Sequence, residues 1–297
     1  MKKIAIIGAG KVGTAMGYLL REHGYCIVGV ASRTIDSAKK AIDFIGEGEA
    51  SNNLKNTAKK AEIVFITTSD GAIKGVCKKV ASEGGFHRGS IVFHMSGALP
   101  SKVLSSARDA GARIASIHPL QSLADVREAV TSLPGSYFCV EGDKEAVSVA
   151  KEIVAALKGK EITLHVDKKP LYHAGAAVVS NYLVATIGFG LELYEAAGIN
   201  RKDSINALMP LIKGTIKNIE AVGIPSALTG PISRGDAGIV ECHLKAISKE
   251  RQGMVRLYTE LGRYTVKVAI EKGTLKKKDA QKIIALFDKY REGLRYS

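Results

Sequence analysis

The chain has 297 residues, 46% hydrophobic and 24% charged, with a formal net charge of +14 at pH 7. This composition belongs to an ordinary folded protein rather than a disordered or collagen-like one, and the length suffices for two domains. The basic excess raises nucleic acid as a partner, but the lysines are dispersed. The densest cluster, Lys276, Lys277, Lys278 and Lys282, lacks the interleaved aromatics that stack bases, so no nucleic acid is expected.

The first seventeen residues organise the rest. Lys2 to Ile7 contains an apolar run short enough for a buried parallel strand, and it leads directly into Gly8-Ala9-Gly10-Lys11-Val12-Gly13 and a helix predicted over 12–23. In this spacing Gly8 permits a tight turn, Gly10 lets backbone approach a pyrophosphate, and Gly13 lets the helix lie close on the strand. Free amides and the positive end of the helix then face a diphosphate. A second strand, Cys26 to Ala31, ends in Ser32-Arg33-Thr34, where an NAD site usually offers a carboxylate to the ribose. Arg33 can meet a 2′-phosphate through paired, charge-assisted hydrogen bonds, with hydroxyls from Ser32 and Thr34. The expected cofactor is therefore NADP(H), and Asp36 reads as the cap of a helix starting at Ser37.

Residues 46–57 read as a loop, and 61–68 as a strand that runs through Ser69-Asp70-Gly71 into a helix ending near Ser82. Ligands of open α/β sheets lie beyond the carboxyl ends of the strands, which puts Thr67, Thr68 and Asp70 near the cofactor. For Asp70 a simple capping role is an equal reading. Strands at 90–94 and 112–117 lead into polar turns at the same edge, His94-Met95-Ser96-Gly97-Ala98 and His118-Pro119-Leu120-Gln121. A later pair of strands, 137–140 and 162–165, brackets a helix at 144–157. This alternation predicts a doubly wound, mostly parallel α/β sheet over residues 1–167, the nucleotide-binding domain.

Beyond Asp167 the pattern is helical, and residues 168–297 are expected to form an all-helical domain for substrate binding and dimerisation. Asp167 reads as the N-cap of a long helix over 171–197, which is small or apolar nearly all round and therefore expected to be buried on most sides. Helices follow at 203–222 with a kink or break before Pro210, then at 236–248, 252–272 and 278–294, with 224–235 as a long loop. No apolar stretch reads as long and clean enough to span a bilayer, and no leader is apparent, so the cytoplasm is the expected compartment and no membrane partner is expected. Cys26, Cys77, Cys139 and Cys242 lie far apart without metal-ligand spacing and read as reduced core residues.

Several polar residues need a purpose. His173, Ser180 and Asn181 interrupt the apolar long helix; His173 and Ser180 share a face, with Asn181 about 80° from His173. They either bond across to neighbouring helices or line a cleft between the domains, where His173 supplies a proton. Arg234, in Thr229-Gly230-Pro231-Ile232-Ser233-Arg234-Gly235-Asp236, either grips a substrate carboxylate or sits in water beside a rigid turn. Ser96 and His118 follow strands at the edge where a nicotinamide would lie, and with Pro119 fixing the turn His118 either joins the chemistry or serves to hold that turn. No two histidines on one element stand at ligand spacing, and no metal is expected.

These segments carry a resemblance. The N-terminal fingerprint with Ala31-Ser32-Arg33-Thr34 and the helical second half resembles the two-domain reductases that include pyrroline-5-carboxylate reductase, ketopantoate reductase and 6-phosphogluconate dehydrogenase. Over nearly its full length the chain is more similar still to a sparsely characterised Rossmann-like family. The similarity lies in His94-Met95-Ser96-Gly97-Ala98-Leu99, Ser116-Ile117-His118-Pro119-Leu120-Gln121, Tyr172-His173-Ala174, Ser180-Asn181-Tyr182-Leu183 and the loop at 229–236. The resemblance implies a Rossmann sheet followed by a helical domain like that of 6-phosphogluconate dehydrogenase. His118 falls on the histidine with which prephenate dehydrogenases help take a proton from the substrate hydroxyl. The β-hydroxyacid dehydrogenases use a lysine and an asparagine four residues apart on the long helix; here His173 is followed four residues later by Ala177, so that role is not assigned to Lys168 or Lys169.

The expected activity is an NADP(H)-dependent oxidoreductase acting on a small carbonyl, imine or hydroxy substrate held between the domains. His118 and His173 are expected to handle the proton, Ser96 and Asn181 to orient the substrate, and Arg234 to hold an anionic group. A homodimer through the helical domain is expected as well. Alternatives are a non-catalytic NADP(H) or redox sensor, a nucleic-acid-binding protein on the same scaffold, and a deazaflavin-linked NADP reductase.

Overall fold

The structure, a computed structural model, describes residues 1–292. Its first half builds eight strands: β1 (Lys3–Ile7), β2 (Cys26–Ala31), β3 (Glu49–Ser51), β4 (Ile63–Ile66), β5 (Ile91–His94), β6 (Arg113–Pro119), β7 (Tyr137–Gly142) and β8 (Lys160–Ile162). Between them lie α1 (Lys11–Glu22), α2 (Ile35–Ile45), α3 (Leu54–Lys59), α4 (Asp70–Ser82), α5 (Ser105–Asp109), α6 (Val126–Ser132) and α7 (Lys144–Ala156). The sheet order is β3-β2-β1-β4-β5-β6-β7-β8, parallel except where β7 runs antiparallel to β6. The carboxyl ends of β1, β4, β5 and β6 thus share one edge.

Strand alternation splits the core into two layers. Ile4 and Ile6 of β1 pack with Met16 and Leu20 of α1, Ile45 of α2 and Ile153 of α7 on one face. Ala5 and Ile7 pack with Ile73 and Cys77 of α4 and Leu104 on the other. Gly17 gives α1 its close approach, because a Cβ there would lie 2.5 Å from Ile6 Cδ1 and 2.6 Å from Ile45 Cδ1.

Several expectations need correction. Residues 46–57 are not all loop: β3 and most of α3 lie there, with Asn53 Oδ1 capping α3 by accepting from Asn56 N at 3.0 Å. Asp36 does not precede its helix, since α2 begins at Ile35 and Thr34 holds the N-cap position. His118 and Pro119 are the last residues of β6 rather than a turn beyond it. The last strand ends at Ile162, and a short 3-10 turn at Val166–Lys168 precedes the long helix where Asp167 was read as N-cap.

The rest of the chain is helical: α8 (Lys169–Ala196), α9 (Arg201–Val222), α10 (Pro231–Arg234), α11 (Ala237–Glu250), α12 (Val255–Glu271) and α13 (Lys277–Glu292). The expected end of the last helix at Leu294 lies outside the described residues. α9 continues through Pro210 without a break, and α10 is a short helix inside the expected 224–235 loop. The core here joins Val240 and Leu244 of α11, Val266 of α12 and Ile283 and Phe287 of α13. Gly262 lets α12 meet α13, since a Cβ there would be 2.4 Å from Phe287 Cζ. Two compact units part between Tyr182 and Leu183, inside α8, whose first turns are bonded to the sheet.

The long helix also departs from expectation. Instead of being buried on most sides, α8 exposes Leu171, Val179 and Val184 at 72%, 73% and 71%. By length and composition, the stretch Val166–Ala196 is long and apolar enough to cross a membrane, with a mean hydropathy of 1.5, which corrects the reading that no stretch was. Cys77 and Cys139 are buried as expected, but Cys242 is exposed; all four cysteines are free thiols.

Candidate active site

The glycine loop shows which glycines the chain needs for itself. Gly8 adopts φ +119°, and a Cβ would lie 2.8 Å from the Thr67 carbonyl carbon. At Gly13 a Cβ would meet Thr67 Oγ1 at 2.3 Å and the Gly8 carbonyl at 2.4 Å. Thr67 locks this arrangement by donating from Oγ1 to the Gly8 carbonyl at 2.7 Å. Gly10 is different: a Cβ there would meet nothing nearer than Thr67 O at 3.9 Å. The chain's own packing does not call for a glycine at 10, whereas a ligand lying against bare backbone does.

That ligand space is a cavity of about 670 Å³, whose lining includes Gly8, Ala9, Gly10, Arg33 and Thr68. Ser32, Thr34 and Thr67 also line it, as does Lys79 of α4, which the sequence reading missed. Gly10 is the N-cap of α1, so the helix opens toward this space with its free amides. The Thr68 hydroxyl is buried without a hydrogen-bond partner in the structure. A bare glycine, a helix N-terminus, an orphaned hydroxyl and an exposed guanidinium together fit a phosphorylated dinucleotide. Of the other expected cofactor residues, Lys11 is exposed in the first turn of α1, Val12 packs on the core, and Asp70 is exposed in the first turn of α4. None of these three lines the cavity.

Farther along the same sheet edge, β5 and β6 deliver a cluster of titratable groups. His118 Nδ1 hydrogen-bonds Tyr172 OH at 3.1 Å, and its ring stands edge-on to His173 with centroids 6.0 Å apart. Gly97 makes room for both rings, for a Cβ there would be 2.6 Å from His118 Nε2 and 2.6 Å from His173 Cδ2. Burial pushes His118 down to about 4, assisted by the charges of Lys169 and His173. His94, fully buried at the end of β5, is pushed down to about 3 by burial first and then by Lys169. Its Nδ1 accepts from Ser96 N at 3.1 Å, so in the neutral ring the proton resides on Nε2. Burial raises Tyr172 to about 12, keeping it protonated.

The structure thus brings His118 and His173 together with Tyr172. Ser96 lies nearby in sequence, but its Oγ accepts from the amides of Ala98 and Leu99 at 3.2 and 3.1 Å, an acceptor role that holds the turn containing Gly97. Asn181 is exposed on α8, two turns beyond His173. Arg234 belongs to the second unit, where it pairs with Asp236 at 3.5 Å and borders a cavity with Ser233, Lys272 and Thr274.

Sequence reasoning missed Lys169, Glu141 and Ser116, which form a buried network beside the histidines. A signal existed. Lys169 stands four residues before His173 and three before Tyr172, on one face of a helix. Glu141 follows the apolar run Phe138-Cys139-Val140, where a charge demands a partner.

Comparison with known proteins agrees with this architecture. Residues 1–119 match a Rossmann-like domain, and residues 136–265 match a domain of unknown function, DUF2520. A search of curated proteins finds no match. Among solved structures, a Thermotoga maritima protein is 27% identical with a TM-score of 0.69, covering 91% of this chain and 99% of its own. A Bacteroides fragilis protein described as a candidate NADP oxidoreductase is 21% identical with a TM-score of 0.73, covering 90% and 98%. A reductive aminase from Aspergillus terreus, solved with NADPH and ethyl levulinate, is 18% identical with a TM-score of 0.62, covering 95% and 98%. The fold is therefore one that NADP(H) oxidoreductases use.

Proposed function

We propose that this chain, a Rossmann-like domain followed by DUF2520, is an NADP(H)-dependent oxidoreductase acting on a small carbonyl, imine or hydroxy substrate. The observation that carries this reading is the shared sheet edge: the cavity at Gly8, Gly10 and Arg33 and the His118–Tyr172–His173 cluster both lie at carboxyl ends of parallel strands. In the reading, Gly8, Ala9 and Gly10 face the diphosphate while Ser32, Arg33 and Thr34 take the 2′-phosphate. NADP(H), when bound, supplies or accepts the hydride. His118, neutral because of its burial, takes the proton of the reacting hydroxyl or amine as hydride leaves the substrate and returns it in the reverse direction as hydride arrives, with His173 beside it as a second protonic group. Ser96 holds the turn that admits both rings.

The reading includes pairing of two copies through the helical half of the chain. The exposed apolar side of α8 favours a second copy over a bilayer, because Lys169 and Tyr172 tie the start of the same helix to a sheet. An open sheet edge has no place in hydrocarbon. A self-complementary contact through one long helix is what a twofold dimer needs.

The test is hydride transfer itself. Purified protein with deuterated NADPH and a panel of cyclic imines, ketones and keto acids should label one product class, detected by mass spectrometry. His118→Ala and His173→Ala should slow labelling while NADPH binding persists. Equal labelling by wild type and both variants would remove the histidines from the reaction, and no labelling with any panel member would count against the oxidoreductase reading.

A further inference from the structure

Behind His118 lies a charged side chain that the proposed reaction does not yet use. Lys169 is 0% exposed, so its ammonium cannot touch a substrate. Its Nζ donates to Ser116 Oγ and, at 2.9 Å, to Glu141 Oε1. Glu141 also accepts from Ser101 N at 2.8 Å and from Ser101 Oγ at 2.7 Å, so it acts as an acceptor toward the lysine and the serine alike, the pattern of a carboxylate. Ser116 Oγ passes the chain on to the Ser96 carbonyl at 3.4 Å. Register explains the meeting: Ser116 of β6 stands opposite Glu141 of β7, and His118 stands opposite Cys139.

A buried ion pair is seldom the most stable filling for a site, because desolvation offsets the attraction and apolar residues of equal volume often do as well. The neighbouring positions Ala115, Ile117 and Val140 are apolar and fully or nearly fully buried, so an apolar solution was at hand. The pair stands instead beside the strand that carries His118, joined to Ser116 of that strand. Lys169 opens α8, and Tyr172 and His173 follow at three and four residues, on the same face.

We propose that Lys169 is a positioning residue with two effects on His118. Through Glu141 and Ser116 it fixes the first turn of α8 so that Tyr172 and His173 meet His118, and its buried charge keeps His118 in the neutral, proton-accepting form. The groups around this histidine are Lys169, Tyr172 and His173 from α8 and His94 from β5, with Cys139 of β7 opposite it in register, while Glu141 of β7 and Asp70 of α4 act on Lys169. Burial is the main influence that holds His118 neutral, and among the charges Lys169 acts most strongly in the same direction. The proton-accepting role rests on the oxidoreductase reading; the charge state of His118 does not.

The experiment is a histidine imidazole NMR titration of the full chain without cofactor, comparing wild type, Lys169→Met and Glu141→Gln, with His118 assigned by its loss in His118→Gln. In wild type His118 should stay neutral across about pH 5 to 8. Lys169→Met, which keeps the length of the side chain and removes the charge, should raise the His118 pKa by about one unit or more. Glu141→Gln leaves the ammonium uncompensated and should not raise it. The double variant Lys169→Met/Glu141→Gln, a neutral pair, should raise it again and serves where the single lysine variant does not fold. A purely structural anchor predicts the same direction of change in both single variants. The proposal is overturned if His118 titrates alike in wild type and the lysine variants, or shifts upward with both single changes. Because this readout needs no substrate, it stands apart from the success of the hydride-transfer assay.

Discussion

Gly97→Ala offers a sharp probe of the reactive cluster. An added Cβ would fall 2.6 Å from His118 Nε2, 2.7 Å from His118 Cε1 and 2.6 Å from His173 Cδ2, all inside contact distance. The His118 ring is not the loose end of a flexible chain, because it is tied to Tyr172 at 3.1 Å. The turn cannot retreat freely either, since Ser96 Oγ holds the amides of Ala98 and Leu99. Relief therefore breaks the His118–Tyr172 bond or strains both turn bonds, at about 0.5–1.5 kcal/mol each, in the range of about 1–3 kcal/mol usual for overpacking. A domain of this size should lose roughly 2–10 °C in melting temperature. Thermal melts should show that loss, and turnover should fall about tenfold or more as His118 is displaced, while NADPH affinity stays within about twofold because the cofactor cavity is lined by other residues. Unchanged melting and unchanged turnover together would refute the claim that Gly97 exists to admit the two rings.

Two further predictions use other parts of the molecule. His118 and His94 are pushed down to about 4 and about 3 from an ordinary value of 6.5, so below that value the unfolded chain binds protons that the folded chain does not. Stability should therefore fall as pH drops below about 6.5, with the loss from these groups complete near their folded values; melts at stepped pH should show it, and His118→Gln should flatten the slope. Light scattering at micromolar concentration should give a dimer mass for wild type and a monomer mass for Val179→Lys, whose side chain is 73% exposed in the single chain; a wild-type monomer would contradict pairing.

Much of the fold was legible because its signals are local. The run Ile4 to Ile7 followed by Gly8, Gly10 and Gly13 marks strand, turn and helix within one short window; Gly8 and Gly13 are sterically required, and Gly10 leaves bare backbone beside open space. Short elements were less visible: β3 has three residues, and its polar sequence Glu49-Ala50-Ser51 is shaped by pairing with Gly29 to Ala31 rather than by its own propensity. The helix α8 misled because an apolar surface in a sequence does not say whether the same chain covers it. Of the side chains that the structure brings together, His118 and His173 stood out in the sequence, since both break a pattern of apolar neighbours. Lys169 and Glu141 could not be paired from spacing, because antiparallel β7 brings Glu141 beside Ser116 only through tertiary register.

The most direct test of the central claim is a fluorescence titration of purified protein with NADPH and NADH, on wild type and Arg33→Ala. Wild type should bind NADPH in preference to NADH. Losing the charge-assisted bonds at the 2′-phosphate should cost about 1.5–3 kcal/mol, roughly tenfold or more in NADPH affinity, with NADH affinity nearly unchanged. Binding of neither nucleotide by wild type would contradict the account at its foundation, and equal loss of both in Arg33→Ala would contradict the assignment of Arg33 to the phosphate that distinguishes them.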